Sequence, residues 1–352
     1  MKILNPNTTS LCVHCYKHIS ARTIIENGSV FLEKTCPLHG FQKFLVEPNA
    51  DFYTDYIYGQ NNLYHTLDAI CLDITNRCNL QCPHCYQIPN NQSKDPSINS
   101  IIAGVEQWPD QKAVVLMGAE PTIRNDLPEL IDRLNKIAIR PIMILSNGVR
   151  MSDIEYAKQF TKFKNVYFTI GLNHPDYQGP TVRYKQECGL DNCVKLNIPI
   201  KNISYTLDGF GQLEYCLHEI QKFNSEKNYC KMYRIRVGTA IGRSPEQDKM
   251  FMSELVEKSR YIAKQNNWSF IPKPESGIRA HYPVEIAGVR VKLIQWPDAQ
   301  TLDLDEIQTE SWADMLPGKP ISPLVHQVLL RDRLVNNNQP LLDTVPKKYR
   351  LQ

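Results

Sequence analysis

From about residue 68 the sequence alternates short apolar runs with segments of helical period, and no other feature restricts its fold as much. The runs are AICLDIT (69–75), AVVLMG (113–118), PIMILS (141–146), VYFTIG (166–171), NISYTL (202–207) and YRIRVGTA (233–240). They are short and rich in β-branched or aromatic residues, as buried parallel strands are. Between them, segments such as DLPELIDRLNKIA (126–138) and GQLEYCLHEIQKF (211–223) repeat apolar residues at intervals of three and four, the mark of one buried helix face. Six strand–helix repeats predict a parallel sheet with right-handed crossovers. That is two units short of a closed eightfold barrel. The expected fold class is therefore α/β, an open, partial (β/α)6 TIM-like barrel with its chemistry at the C-terminal strand ends. A flat doubly wound sheet has the same periodicity and is the alternative.

Residues 1–65 carry short strand-like pieces and no long helical pattern, and form the expected small metal-binding module. Residues 66–270 hold the barrel repeats. Residues 271–352 are Pro-rich and form a C-terminal extension expected to close the barrel's open end, with a hairpin over 282–296 that turns near Gly288. His281, Tyr282, Trp296 and Asp298 are its candidate pocket residues. The net charge of +3 gives no argument for nucleic acid or a membrane surface. No apolar run is long enough to span a bilayer and the start lacks a signal-like apolar region, so the expected location is the cytoplasm, with no transmembrane segment.

Eleven cysteines in such a chain point to metal or redox chemistry, because a reducing compartment disfavours structural disulfides. CNLQCPHCY places Cys78, Cys82 and Cys85 just past the first strand, on the face where a barrel carries its site. Two readings stand. Cys82 and Cys85 alone have the form of a thiol–disulfide exchange pair. All three together can hold an iron–sulfur cluster, leaving one iron without a protein ligand.

The stretch DITNRCNLQCPHCY resembles the signature of the radical S-adenosylmethionine (radical SAM) superfamily, C-x3-C-x2-C. MGAEPT (117–122) is similar to that superfamily's GGEP motif, with Ala119 where glycine is usual; LSNG (145–148) and RIRVGTAIGR (234–243) resemble its later segments. The resemblance covers roughly residues 68–265. It implies that Cys78, Cys82 and Cys85 ligate a [4Fe–4S] cluster whose open iron binds SAM, and that an external one-electron reductant of flavodoxin or ferredoxin type supplies the electron. It implies an enzyme that makes a 5′-deoxyadenosyl radical and abstracts hydrogen from a small-molecule, peptide or lipid substrate, with C–C or C–X bond formation or modification to follow. His84 and Tyr86 would lie near adenine. Gly118, Ala119 and Glu120 would meet the SAM amino group, with Ala119 tolerated only at negative φ. A structural pair with Arg124 is the alternative for Glu120. Ser146 and Asn147 would lie near the ribose or carboxylate, or else close the turn before Gly148. Arg236 and Arg243 would reach the SAM carboxylate or an anionic substrate. At the fourth strand, TIGLNHPD (169–176) departs from the common pattern and makes His174 and Asp176 candidate substrate contacts. A non-catalytic metal- or SAM-binding protein is the remaining alternative.

In the front module, Cys12-x2-Cys15 and Cys36-x2-His39 have the spacing of a tetrahedral Cys3His zinc site, which a mononuclear iron also fits. His14, His18 or Cys71 are alternatives to His39. This CxxC/CPxHG leader resembles one radical SAM branch, that of tetraether-lipid synthases and enzymes proposed to methylate a pterin precursor. Cys188 and Cys193, with Cys216 and Cys230, are the residue set for any second cluster, against which stands the apolar helix face that Cys216 shares with Leu213, Leu217 and Ile220.

Overall fold

The computed structural model of the 352-residue chain describes residues 1–58, 69–83, 85–87, 89–106, 109, 112–172, 174–238, 249–273, 281–303, 312–316 and 319–321. The first 47 residues form a meander of four antiparallel strands: β1 (Lys2–Leu11), β2 (His18–Glu26), β3 (Ser29–Cys36) and β4 (Gly40–Glu47). A short helical stretch follows from Ala50, capped by the Asn49 side chain, whose Oδ1 accepts the Phe52 N–H at 2.9 Å.

The remaining strands build one sheet. Its centre is six consecutive strands, β5 (Ala69–Thr75), β6 (Ala113–Gly118), β7 (Ile142–Ser146), β8 (Val166–Gly171), β9 (Ile200–Leu207) and β10 (Met232–Val237), each pairing in parallel with the next. The crossover helices are α1 (Ile98–Glu106), α2 (Leu127–Ile137), α3 (Ile154–Lys158), α4 (Pro175–Lys195) and α5 (Leu213–Glu226), and α6 (Met252–Gln265) follows β10. α4 is kinked at Gly179, where φ is +75° and Pro180 follows.

The hairpin expected at 282–296 is present as β12 (His281–Ile286) and β13 (Val289–Ile294), turning through Ala287 and Gly288, both at positive φ. It extends the sheet as well as following it. β13 pairs in parallel with β10, β12 pairs with β13, and β11 (Phe270–Pro272) pairs with β12. At the opposite side, β14 (Trp312–Leu316) pairs in parallel with β5 and β15 (Lys319–Ile321) continues the sheet. The result is an open, mixed eleven-stranded sheet with β11 and β15 at its ends; it does not close on itself.

The two faces of this sheet differ. One residue in two points to the helices: Ile70, Leu72 and Ile74 on β5, Val166, Phe168 and Ile170 on β8, Tyr233, Ile235 and Val237 on β10, all in one apolar core. The other face starts apolar, with Cys71, Val115, Met117, Met143 and Leu145 beside Tyr86. From β8 onward the same face turns polar, through Thr169, Asn202, Ser204, Thr206, Arg234, Arg236 and Lys292. Near-continuous apolar runs are expected for parallel strands covered on both sides, and here the polar half marks a face used for something other than packing. Cys193, Cys216 and Cys230 are buried in the helix-side core, so they behave as small apolar residues there; Cys188 is half-buried on α4. Tyr282 likewise joins that core, against Phe52 and Tyr56, and Asp298 accepts the Gln300 and Thr301 N–H groups in a turn.

The four-stranded module is docked on this body by polar contacts. Lys34, 2% exposed, donates to the carbonyls of Leu11 (2.7 Å), Ala299 (2.8 Å) and Gln300 (3.0 Å). Thr8 bonds Asp303, Ser10 Oγ donates to the Leu302 carbonyl at 2.6 Å, and Glu47 accepts from Ser253.

Candidate active site and metal centre

Three loops at the C-terminal ends of β5, β6 and β7 meet. The loop after β5 is tied at its neck. Thr75 Oγ1 donates to Asp95 Oδ1 at 2.6 Å, the Arg77 guanidinium forms an ion pair with the same carboxylate, Asn90 N donates to the Asn76 carbonyl at 2.7 Å, and Cys78 N donates to Asn91 Oδ1 at 2.9 Å. Between those ties the loop displays Cys78, Cys82 and Cys85, none in a disulfide and all half-buried. The described residues from 76 to 97 carry no helix, so the helix N-terminus that activates an exchange cysteine is not among them. Burial pushes the Cys78 thiol up to about 12, and the nearby Glu120, Cys82 and Cys85 add to the shift. N–H groups are directed at its sulfur, from Leu80 N at 3.3 Å and Asn147 Nδ2 at 3.8 Å. Three thiols on one tied loop, with amide donors aimed at the Cys78 sulfur, are a donor set suited to an iron–sulfur cluster.

Gly118 ends β6 at φ +115°, and a Cβ there would lie 2.2 Å from the Thr75 carbonyl oxygen. Only glycine lets β6 approach the loop neck so closely. Ala119 is absent from the positive-φ residues, so its side chain is accommodated without strain. Its N–H donates to the Thr75 carbonyl at 2.9 Å, and the Glu120 N–H to the Arg77 carbonyl at 3.1 Å. Tyr86, directly after the last loop cysteine, donates its hydroxyl to the Gly118 carbonyl at 3.0 Å. Gly118→Ala is expected to destabilise the fold by about 2 kcal/mol or more, since positive φ and a backbone clash act together. Chemical denaturation with the wild-type m-value checks it; an unchanged midpoint contradicts the close approach.

Glu120 is 1% exposed and both oxygens of its carboxylate accept hydrogen bonds from the protein. Oε1 accepts from Thr122 N at 3.0 Å, from the Thr122 hydroxyl and from Ser146 Oγ at 2.8 Å; Oε2 accepts from Asn147 N at 2.6 Å. Burial raises its pKa, and these donors oppose the rise. Arg124 does not pair with it. Arg124 instead binds Asp126 and the carbonyls of Ile74 and Pro96, so the structural Glu120–Arg124 pair is absent. Asn147 joins the third loop to the first: its Nδ2 donates to Asn79 Oδ1 at 2.8 Å, and its carbonyl accepts from Gln186 Nε2 at 2.8 Å. Ser146 Oγ and Asn147 Oδ1 also close the turn, accepting from Gly148 N and Val149 N at 3.0 Å each.

Arg236, on β10, donates to Thr206 Oγ1 at 2.9 Å and is close enough to Tyr86 and Cys85 to feel their charge. His174 meets the Tyr215 ring at 4.6 Å. His84, Arg243 and the side chain of Asp176 lie outside the described residues. Thr75, Arg77, Asn79, Asp95 and Gln186 also shape the site; the first three fall within the quoted DITNRCNLQCPHCY stretch, whereas no motif marks Asp95 or Gln186.

The second centre is in the four-stranded module. The β1–β2 and β3–β4 turns lie at one end of the meander, which brings the ligand atoms of Cys12, Cys15, Cys36 and His39 within 4.8 Å of one another. His39 Nδ1 is 3.5 Å from both Cys12 and Cys36 sulfurs, and Cys15 and Cys36 sulfurs are 3.8 Å apart. Burial works against the Cys12 thiolate, but the Gln42 amide at 3.1 Å and the backbone N–H groups of Cys15 and His14 pull its pKa down to about 6. A convergent, partly ionised Cys3His set fits a tetrahedral divalent ion. His14 stacks near His39 at 5.2 Å, and Cys71 is buried in β5. Cys78, Cys82 and Cys85 form no such single-ion group, and a cubane, with its irons at separate corners, does not need one.

The Radical SAM superfamily model matches residues 72–207, and that of the HMPTM N-terminal zinc ribbon domain matches residues 5–48. The chain is 28% identical over 228 residues to 7,8-dihydro-6-hydroxymethylpterin dimethyltransferase of Methanocaldococcus jannaschii, covering 55% of this chain and 45% of that one. It is 24% identical over 159 residues to GTP 3′,8-cyclase of Clostridium perfringens (strain 13), covering 42% and 49%. The chain thus spans less than half the length of each of these relatives. Streptococcus suis SuiB bound to S-adenosylmethionine shares the fold, with a TM-score of 0.51 at 10% identity over 96% of this chain and 85% of that one.

Proposed function

The chain belongs to the radical SAM superfamily, in the branch with an N-terminal metal module, and from that premise we propose that it is an enzyme that cleaves SAM reductively and abstracts hydrogen from an organic substrate. C–C or C–X bond formation or modification would follow. Cys78, Cys82 and Cys85 would hold a [4Fe–4S] cluster. When bound, that cluster supplies the electron that splits the sulfonium C–S bond of SAM into methionine and a 5′-deoxyadenosyl radical. The observation that carries the reading is the convergence of the tied cysteine loop, the Gly118–Glu120 turn and the Ser146–Asn147 turn at three adjacent strand ends.

The chain's own residues have separable tasks. Gly118 and Ala119 offer backbone to the SAM amino group, with His84 and Tyr86 toward adenine and Ser146, Asn147 and Arg236 at the polar rim. Arg243 is a further candidate for the carboxylate, and His174 and Asp176 for the substrate. Glu120 would meet the SAM amino group through Oε2, which accepts from Asn147 N alone, and it braces the turn through Thr122, Ser146 and Asn147. Glu120→Gln is expected to put an amide N–H against the Asn147 N–H, at a cost of about 1–3 kcal/mol, and to raise the KM for SAM. Thermal unfolding and SAM kinetics check both; wild-type values for both contradict a bracing role.

The open sheet, in this reading, is a partial (β/α)6 barrel over residues 66–270, with residues 1–65 as the metal module and 271–352 as an extension. The module's ion is zinc, with a mononuclear iron as the alternative occupant. A flavodoxin- or ferredoxin-type protein supplies electrons, and the substrate is a small molecule or peptide. Among the described residues no helix is long and apolar enough to cross a membrane. The test is anaerobic: iron- and sulfide-reconstituted protein with SAM and dithionite should release 5′-deoxyadenosine and methionine in equal amounts. Neither product forming, with the cluster loaded, overturns the proposal.

A further inference from the structure

The polar half of the sheet's second face carries a cationic patch that runs deeper than Arg236, the one member of it that the SAM reading uses. Strand register fixes its layout. Arg236 lies beside Thr206 on β9 and Ile294 on β13, and Ile294 faces His281 on β12. One row further from the strand ends, Arg234 lies between Ser204 and Lys292. A further row down, Asn202 lies beside Thr169. Two residues of strand span about 7 Å, so Arg234 sits about that much deeper than Arg236.

Four side chains of this face, those of Arg234, His281, Asn202 and Thr169, each hold a buried polar atom with no hydrogen-bond partner. Arg234 Nε is buried with no hydrogen-bond partner, and no ion pair joins Arg234 or Arg236 to a carboxylate among the described residues. Buried and unpartnered in the same way are His281 Nε2, Asn202 Nδ2 and Thr169 Oγ1, on side chains of residues 7%, 0% and 6% exposed. Burial, with Arg236 adjacent, pushes the Arg234 guanidinium down to about 10, and burial with Arg234 and Lys292 nearby lowers His281 well below its usual range. Buried donors without acceptors are rare and costly. Several of them around adjacent cations are what a bound anion would satisfy.

We propose that Arg234 and Lys292, in one row about 7 Å deeper than that of Arg236, bind a dianionic phosphate group of the substrate, with the His281 ring reaching it from the row above. The inference rests on the SAM-cleavage reading for what happens at the mouth, and it adds the substrate class: a phosphate ester whose reacting carbon lies toward Tyr86 and Cys85. Arg236 stands between the two regions, one row above Arg234 on β10 and near Tyr86 and Cys85. A guanidinium presents a planar fork that matches phosphate oxygens, and it stays charged when buried.

Equilibrium dialysis of the full chain with inorganic phosphate, without SAM, tests this apart from the radical chemistry. Wild type should bind one phosphate per chain at millimolar concentration or below. Arg234→Gln should weaken that binding at least about tenfold, the value of one charge-assisted hydrogen bond. Arg234→Lys should recover part of it. Should Arg234→Gln fail to fold by circular dichroism, Lys292→Gln replaces it with the same direction of change. Acetate should not displace phosphate at equal concentration. No binding by wild type, equal binding by the folded variants, or full displacement by acetate each overturns the assignment, whether or not SAM is cleaved.

Discussion

Cys78→Ala is expected to abolish 5′-deoxyadenosine formation, with a loss of well over about 100-fold. Removing a partner of a metal ligand typically costs 10–100-fold, and removing a ligand costs more. The structure explains why Cys78 has no substitute. It sits at the tied neck of the loop, with its N–H on Asn91 and its sulfur facing Leu80 N and Asn147 Nδ2. The nearest thiols, Cys82 and Cys85, already belong to the set, and Cys71 is buried in the apolar part of the sheet. The brown absorbance of reconstituted protein should fall in parallel with activity. An exchange enzyme built on Cys82 and Cys85 would keep its thiol–disulfide activity in this variant, so retained activity of either kind contradicts the three-cysteine site.

Removing the ion from the front module is expected to unfold residues 1–47 as a unit. Structural zinc in small peptide domains contributes on the order of 10 kcal/mol of folding free energy, and a segment of 47 residues is too short to bury a large core of its own. The thiols of Cys12, Cys15 and Cys36 then repel when ionised, and the two turns separate. The contacts of Thr8 with Asp303, Lys34 with Ala299 and Gln300, and Glu47 with Ser253 go with it. Limited proteolysis after chelation should therefore cleave within the first 47 residues and leave the large sheet resistant. An unchanged digestion pattern after metal analysis shows the ion gone would contradict a structural role. Cys36→Ala should behave as the chelated protein does.

Much of this arrangement is legible in the sequence, because period and spacing are local. The strands of β5, β6 and β8 fall on the apolar runs residue for residue, and the hairpin turns at Gly288 as its composition requires. His39 meets the two sulfurs at the spacing of a ligand pair. What the pattern does not carry is long-range pairing. Nothing in the period of β13 says that it pairs with β10, or that a strand at 312–316 pairs with β5. The same holds at the site. Arg77 and Asp95 are 18 positions apart and look like ordinary surface charges, yet they tie the cysteine loop. Glu120 reads as a ligand-facing acid in its motif, and nothing in that motif shows the four donors from Thr122, Ser146 and Asn147 that hold its buried carboxylate. Lys34 looks like a solvated strand residue until the Ala299–Gln300 carbonyls are seen to cover it.

The central claim is a cluster held by three protein thiolates with one iron left for SAM. Electron paramagnetic resonance of the dithionite-reduced, reconstituted chain, recorded before and after adding SAM, tests it most directly. A cluster with one open iron gives a reduced-cluster signal whose g-values shift when SAM is added, because SAM would enter that iron's coordination sphere. A signal that SAM leaves untouched, or no cluster signal from fully iron-loaded protein, would contradict it.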